Sequence, residues 1–205
     1  MRLRRRSVTV VPSDAAILNA AVDVLGADPH ASLERVATAA RTDARTVRSR
    51  YPTRDSLIQA VVLRGARRIA DAAVLEDGTP PEQVGLLVGR LWDDQAPVAP
   101  FTAMWMRSDM RPEVERALDP VRLLLADAVA RGAATHGMRL DVPETTVAWL
   151  VEHAVLTCLA GVADGAVARD AGRRLAVTHA LTATGLAWEV AAHTADAIEA
   201  RLGPG

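Results

Sequence analysis

The chain contains no lysine, so all 24 of its basic residues are arginines. That bias reflects genomic base composition and carries no functional reading. Cysteine occurs once, at Cys158. One cysteine excludes an internal disulfide and a cysteine-built metal site, and it fits a reducing, cytoplasmic setting. Aromatic residues make up only 3% of the chain. With alanine, leucine and valine abundant instead, helices are favoured over sheets. Met1 to Arg6 is basic, but no long apolar region follows, so no signal segment is expected. The patterns HExxH, GxSxG, GxGxxG and the P-loop are all missing. The five histidines (His30, His136, His153, His179 and His193) show no metal-ligand spacing. Glu152 and His153 are adjacent and project about 100° apart on a helix. Cys158, five residues beyond His153, does not share its face, so no Cys–His pair is set up locally. No catalytic residue, metal or cofactor is expected, and the chain reads as something other than an enzyme.

What is present is a length of 205 residues, half of them hydrophobic, enough for one or two domains with a core. The net charge of −1 hides an asymmetry. Through Arg68 there are 13 arginines and six acids, whereas the remainder has 11 arginines and 19 acids. A basic first third on an acidic body is the footprint of a nucleic-acid module joined to something else.

Within that basic third, residues 32–51 carry the densest pattern. Leu33, Val36, Ala37 and Ala40 form one apolar face of a short helix. Arg41-Thr42 breaks the pattern, and Asp43 can cap a second helix in which Ala44, Val47 and Tyr51 line one side. Arg45, Thr46, Ser49 and Arg50 point the other way. A helix that buries a thin stripe and shows arginines and hydroxyls suits the major groove, where arginine grips guanine O6 and N7. The expectation is a helix-turn-helix. Before it, Ser13 caps a helix ending at Gly26, with Leu18, Ala21, Val22 and Leu25 as its apolar stripe. After it, Pro52 stops the second helix and Thr53 caps a longer one reaching about Val74. Residues 1–12, with Arg4, Arg5 and Arg6, form a basic arm that either stays disordered or orders on DNA.

Residues 77–81, Asp-Gly-Thr-Pro-Pro, read as a linker. Helices are then expected near 82–93, 99–108, 112–118, 120–135, 143–163 and 168–202, with Pro112 and Pro120 in first turns. The last two have few charges: Glu152 alone between Thr145 and Ala163, and Glu189 alone between Leu175 and Ala192. Apolar positions on more than one face must be covered on more than one side. A membrane span is the competing reading, disfavoured by Glu152, His153 and several threonines. The preferred one is an isologous four-helix interface between two copies, through Val151, Val155, Cys158, Val162, Ala180, Ala183, Leu186 and Val190. Trp92, Phe101, Met104, Trp105 and Trp149 are candidates to line a pocket for a small apolar ligand, with His153 as its polar group. Core packing is the plain alternative for each.

Residues 13–62 resemble the N-terminal domain of tetracycline-repressor (TetR) family regulators. The match rests on ILNAAVDVLG followed by SLERVATAARTDARTVRSRYPTRDSLIQAV. Val36-Ala37, Ala39-Ala40, Thr46-Val47, Tyr51-Pro52 and Arg54-Asp55 with Leu57 fall at the family's spacings. The resemblance implies an all-α protein of about nine to ten helices: residues 13–56 as a three-helix DNA-binding domain, residues 57–205 as a larger effector-binding and dimerisation domain. It implies a cytoplasmic homodimeric regulator, usually a repressor, that holds double-stranded operator DNA and is released by a small-molecule effector. By position, Ser32 would donate to a phosphate, and Ala44, Arg45, Thr46, Arg48, Ser49 and Arg50 would lie along bases or adjacent phosphates. Tyr51 would pack between helices and Arg54 would hold the backbone. Two departures stand out. Arg41-Thr42 replaces the usual Gly-Val, where a positive φ would cost a non-glycine residue on the order of 1 kcal/mol. Arg48 replaces the usual tyrosine. The rival reading is a helical ligand-binding or interaction module whose DNA binding is weakened or lost.

Overall fold

The computed structural model describes residues 13–95 and 110–203, which form ten helices and no strand among them. Arg4, Arg5, Arg6, Phe101, Met104, Trp105 and the expected helix 99–108 lie outside the described residues. The chain divides into two compact units, one through Val61 and one from Val62 onward.

The first unit contains α1 (Asp14–Ala27), α2 (Leu33–Ala39), α3 (Ala44–Arg50) and the start of α4 (Arg54–Ala72). All four starts are set by oxygen caps that satisfy otherwise orphaned amides, Ser32 among them at the head of α2. Ser13 Oγ accepts from Ala16 N at 3.3 Å. Asp43 accepts from Thr46 N at 2.7 Å. Thr53 and Ser56 cap each other reciprocally, at 3.1 and 3.0 Å. Ile17, Leu25, Val36, Val47 and Leu57 are fully buried. Each such side chain contributes about 1.5–3 kcal/mol relative to exposure.

The second unit adds α5 (Pro80–Gln95), α6 (Arg111–Ala117), α7 (Asp119–Ala134), α8 (Glu144–Ala163), α9 (Arg169–Ala183) and α10 (Trp188–Leu202). Pro112 and Pro120 take first-turn positions, as expected. The helix expected from residue 82 begins at Pro80 instead, because Glu82 reaches back to accept from Thr79 N and Oγ1 at 2.7 Å each. Val84, Leu86, Leu159, Val177, Leu181 and Ala195 build its core. At Gly85 an added Cβ would lie 2.1 Å from Ile198 Cδ1, so the glycine lets α5 and α10 pack in direct contact.

The single long helix expected over 168–202 is two helices. Thr184 ends the first, and Gly185 follows with φ +96, a conformation that favours glycine. Arg139 N donates to Thr184 O at 2.8 Å, and a Cβ on Gly185 would meet Arg139 Cβ at 2.7 Å. The break is therefore fixed by a residue some 45 positions earlier, which periodicity along residues 168–202 does not register.

α8 is the one described helix long and apolar enough to cross a bilayer, with 20 residues and a mean hydropathy of 1.6. It packs against α7 and α9, and Glu152 at its middle is ion-paired to α7.

Candidate functional site

The turn between α2 and α3 is closed by backbone bonds from Thr42 N to Ala37 O at 2.9 Å and from Arg41 N to Thr38 O at 3.1 Å. The longer of these loops is the six-to-one closure that follows a left-handed residue. That residue is Arg41, at φ +56. The positive φ expected where a glycine is usual is present, carried by an arginine.

Asp43 then aims α3. Its carboxyl is held below the usual range by the Thr46 backbone N–H first, with further contributions from the Thr46 hydroxyl, the Arg45 N–H and the Arg45 charge. Thr46 Oγ1 donates back to Asp43 at 3.2 Å, and Ser49 Oγ donates to Thr46 O at 2.9 Å. Both hydroxyls expected at base edges are thus engaged along their own helix. Ala44 is half-buried at the start of α3. Arg45 is exposed in the first turn, with the Asp43 carboxylate as its electrostatic neighbour. Arg48 is ion-paired to Glu34 on α2. Arg50 turns back to Asp14 of α1 at 2.9 Å. Tyr51 is half-buried at the end of α3. Ser32 caps α2, accepting from Arg35 N at 3.4 Å. Arg54 is half-buried, and its Nε is buried with no hydrogen-bond partner. The unit gathers Ser32, Arg45 and Arg48 with their carboxylate neighbours around α2 and α3. Arg50, expected beside the groove-facing residues, is held toward α1.

In the second unit the expected ligand-lining residues fall into separate places. Trp92 is buried, its indole pressed on Gly172, where a Cβ would come within 2.3 Å of Cζ2. That makes it a packing residue between α5 and α9. Trp149 is 43% exposed on α8 and stacks on His153, ring centroids 4.0 Å apart. His153 Nδ1 lies 2.9 Å from Trp149 O, a donor's position that leaves Nε2 as acceptor in the neutral ring.

An open groove of about 470 Å³ runs between α8 and α9, lined by His153, Ala154, Thr157, Cys158, His179 and Ala183, among others, with Arg139 beside it. Trp188 (66% exposed) and Val190 (54%) begin α10 as exposed apolar surface. Of the residues expected between two copies, Val151, Cys158 and Ala180 are covered by the unit's own core. Val155, Val162, Ala183 and Leu186 are half-buried. Leu186 belongs to the turn at Gly185 and Val190 to α10, so they do not share a helix with Ala180 and Ala183.

One residue was missed as a site candidate. Glu152 on α8 has a side chain only 10% exposed, with Arg122 Nε of α7 3.0 Å from its Oε2. Neither carboxylate oxygen takes a hydrogen bond. Burial pushes its carboxyl up to about 7, against the charge of Arg122 and with help from Glu115 and Asp119. Arg122 also reaches Asp119 at 3.2 Å and donates to Glu115 O. The signal was visible as the single charge in an apolar stretch; its partner, 30 residues away, was not. A carboxyl that exchanges its proton near neutrality inside a helical bundle can both donate to and accept from a polar group.

No family model and no curated protein matches the chain. Solved structures do. The transcriptional regulator FadR from Bacillus subtilis in complex with stearoyl-CoA aligns at TM-score 0.68 and 12% identity, over 85% of this chain and all of that one. AmtR of Mycobacterium smegmatis aligns at 0.60 and 18%, over 100% and 99% of the two chains. A TetR-like transcriptional regulator from Rhodococcus sp. RHA1 aligns at 0.55 and 20%, over 87% and 96%. The chain has the all-helical fold of TetR-type transcriptional regulators.

Proposed function

We propose that the chain is a TetR-family transcriptional regulator: a homodimeric DNA-binding protein, in its commonest form a repressor, that holds a palindromic operator through α3 and releases it on binding a small-molecule effector in the second unit. The observation that carries this reading is the exposed Arg45 in the first turn of an α3 aimed by the Asp43 cap, within a unit of net positive charge. Arginine there can bond bidentately to guanine, and Ser32, Arg48 and Arg54 flank it with phosphate-binding chemistry. The structural likeness to regulators, one of them named as a complex with stearoyl-CoA, supports an effector in the helical second unit. Glu152 with Arg122 is the polar group that unit offers an effector, alongside Trp149 and His153. The second copy docks on the exposed apolar surface along α8, α9 and Val190. The switch runs through α4, whose displacement changes the spacing of the two reading helices.

Selecting bound sequences from a random duplex pool tests this reading. A dimeric reader yields a palindrome whose half-sites lie about 34–36 Å apart, one turn of B-DNA. Sequence-blind, weak association contradicts it and favours the rival ligand-binding module, for which the carboxylate partners of Arg48 and Arg50 speak.

A further inference from the structure

Glu34 sits where two phosphate-binding groups converge. Its carboxylate is ion-paired to the Arg48 guanidinium across the α2–α3 turn. The backbone N–H groups and the Ser32 hydroxyl near it at the start of α2, together with the Arg48 charge, hold its carboxyl below the usual range. Both side chains of the ion pair are about half exposed, at 55% and 51%. A pair so open to water is weakly bound and readily exchanged. A phosphodiester group carries the same single negative charge as this carboxylate and likewise offers two oxygens that accept from a guanidinium.

We propose that Glu34 is an internal stand-in for a DNA phosphate: it occupies Arg48, beside Ser32, in the free protein and is displaced by the duplex backbone. The inference rests on the DNA-binding reading and adds a brake to it. Arg48 by itself promises tight, steeply salt-dependent binding. With Glu34 as its counter-ion, Arg48 must first give up that partner and neutralises less of the duplex charge when it meets a phosphate. The discrimination between operator and other DNA then falls more heavily on Arg45, because the uniform backbone contribution is held down.

The test is fluorescence anisotropy of a labelled random-sequence duplex across a salt series, using wild type, Glu34→Gln, Arg48→Ala and the double variant. Glutamine keeps the shape without the charge, and thermal melting checks that each variant folds; Glu34→Ala repeats the comparison without the side chain. Glu34→Gln is expected to tighten binding about threefold to fivefold at low salt and to steepen the logarithmic salt slope by about one. In the Arg48→Ala background the gain should vanish. Unchanged or weaker binding by a folded Glu34→Gln overturns the proposal. So does an equal gain in both backgrounds, which would mean general repulsion rather than exchange at Arg48. If wild type and every variant fail to bind any duplex at low salt, the DNA-binding reading itself has failed, and this inference with it.

Discussion

Arg48 and Arg173 each hold carboxylates from other helices, yet in opposite surroundings. Arg48 is half exposed and meets one carboxylate, Glu34, at the surface of the first unit. Arg173 is 7% exposed in the second unit, bonded through Nη1 to Asp93 at 2.8 and 3.1 Å and through Nε and Nη2 to Glu199 at 2.8 and 3.0 Å. It also donates to Gly203 O, so α5, α9 and the end of α10 meet on one guanidinium. An exposed pair contributes little and is readily exchanged for another anion. A closed network is costly to open and suits a scaffold. The same pairing of arginine with carboxylate is thus open to water in the first unit and shared among three helices in the second, and the proposed DNA binding falls on the open one.

The largest effect expected is from Arg173→Leu. It leaves Asp93 and Glu199 facing each other without their cation and should cost the second unit about 3 kcal/mol. All four tryptophans lie beyond residue 61, so tryptophan fluorescence in urea reports that unit, while Tyr51 and far-ultraviolet dichroism include the first. A midpoint shift in fluorescence worth under about 1 kcal/mol would break the comparison, since Arg173 would then behave as a surface pair.

Next comes Glu152. Its folded pKa of about 7 lies above the ordinary 4.5. A carboxyl raised on folding stabilises relative to the charged state below the unfolded value, and that advantage is lost as pH rises through the folded one. The second unit should therefore lose about 2–3 kcal/mol between pH ~4.5 and ~7. Glu152→Gln should flatten this part of the pH profile in thermal melts. A wild-type profile already flat there would place Glu152 among well-solvated carboxylates.

These two residues also mark the boundary of what the sequence made legible. The first unit's elements were readable because their signals are local: Ser13, Ser32, Asp43 and Thr53 act within three residues, and Pro52 stops its own helix. The positive φ at Arg41 was suggested by the resemblance, in which a glycine is usual there, and not by the local pattern. Partners at long range were not readable. Nothing near Arg48 names Glu34, nothing near Arg50 names Asp14, and Glu152 gives no hint of Arg122. Gly185 breaks a helix because Arg139 crosses it, and Trp92 is core because Gly172 leaves room for its ring. Val151 and Ala180, apolar and well spaced for a partner copy, turned out to face their own unit.

A smaller effect sharpens the comparison from the side of the first unit. Arg41→Gly removes the left-handed strain of a non-glycine residue, partly offset by the greater freedom of glycine in the unfolded chain. A gain of about 0.5 kcal/mol is expected. Hydrogen exchange at the amides of α2 and α3 would register it as slower opening. Unchanged or faster exchange would mean that the Arg41 side chain contributes more to the turn than its backbone costs.

Whether α3 reads DNA through Arg45, as proposed, is decided by the affinities of wild type and Arg45→Ala for a selected duplex and for a set altered one base pair at a time. A loss of about 1–3 kcal/mol is expected on the selected duplex, with preference relaxed at one symmetric pair of positions and kept elsewhere. An equal loss on every sequence would make Arg45 a backbone anchor, and no loss on any would mean that α3 does not read DNA through Arg45.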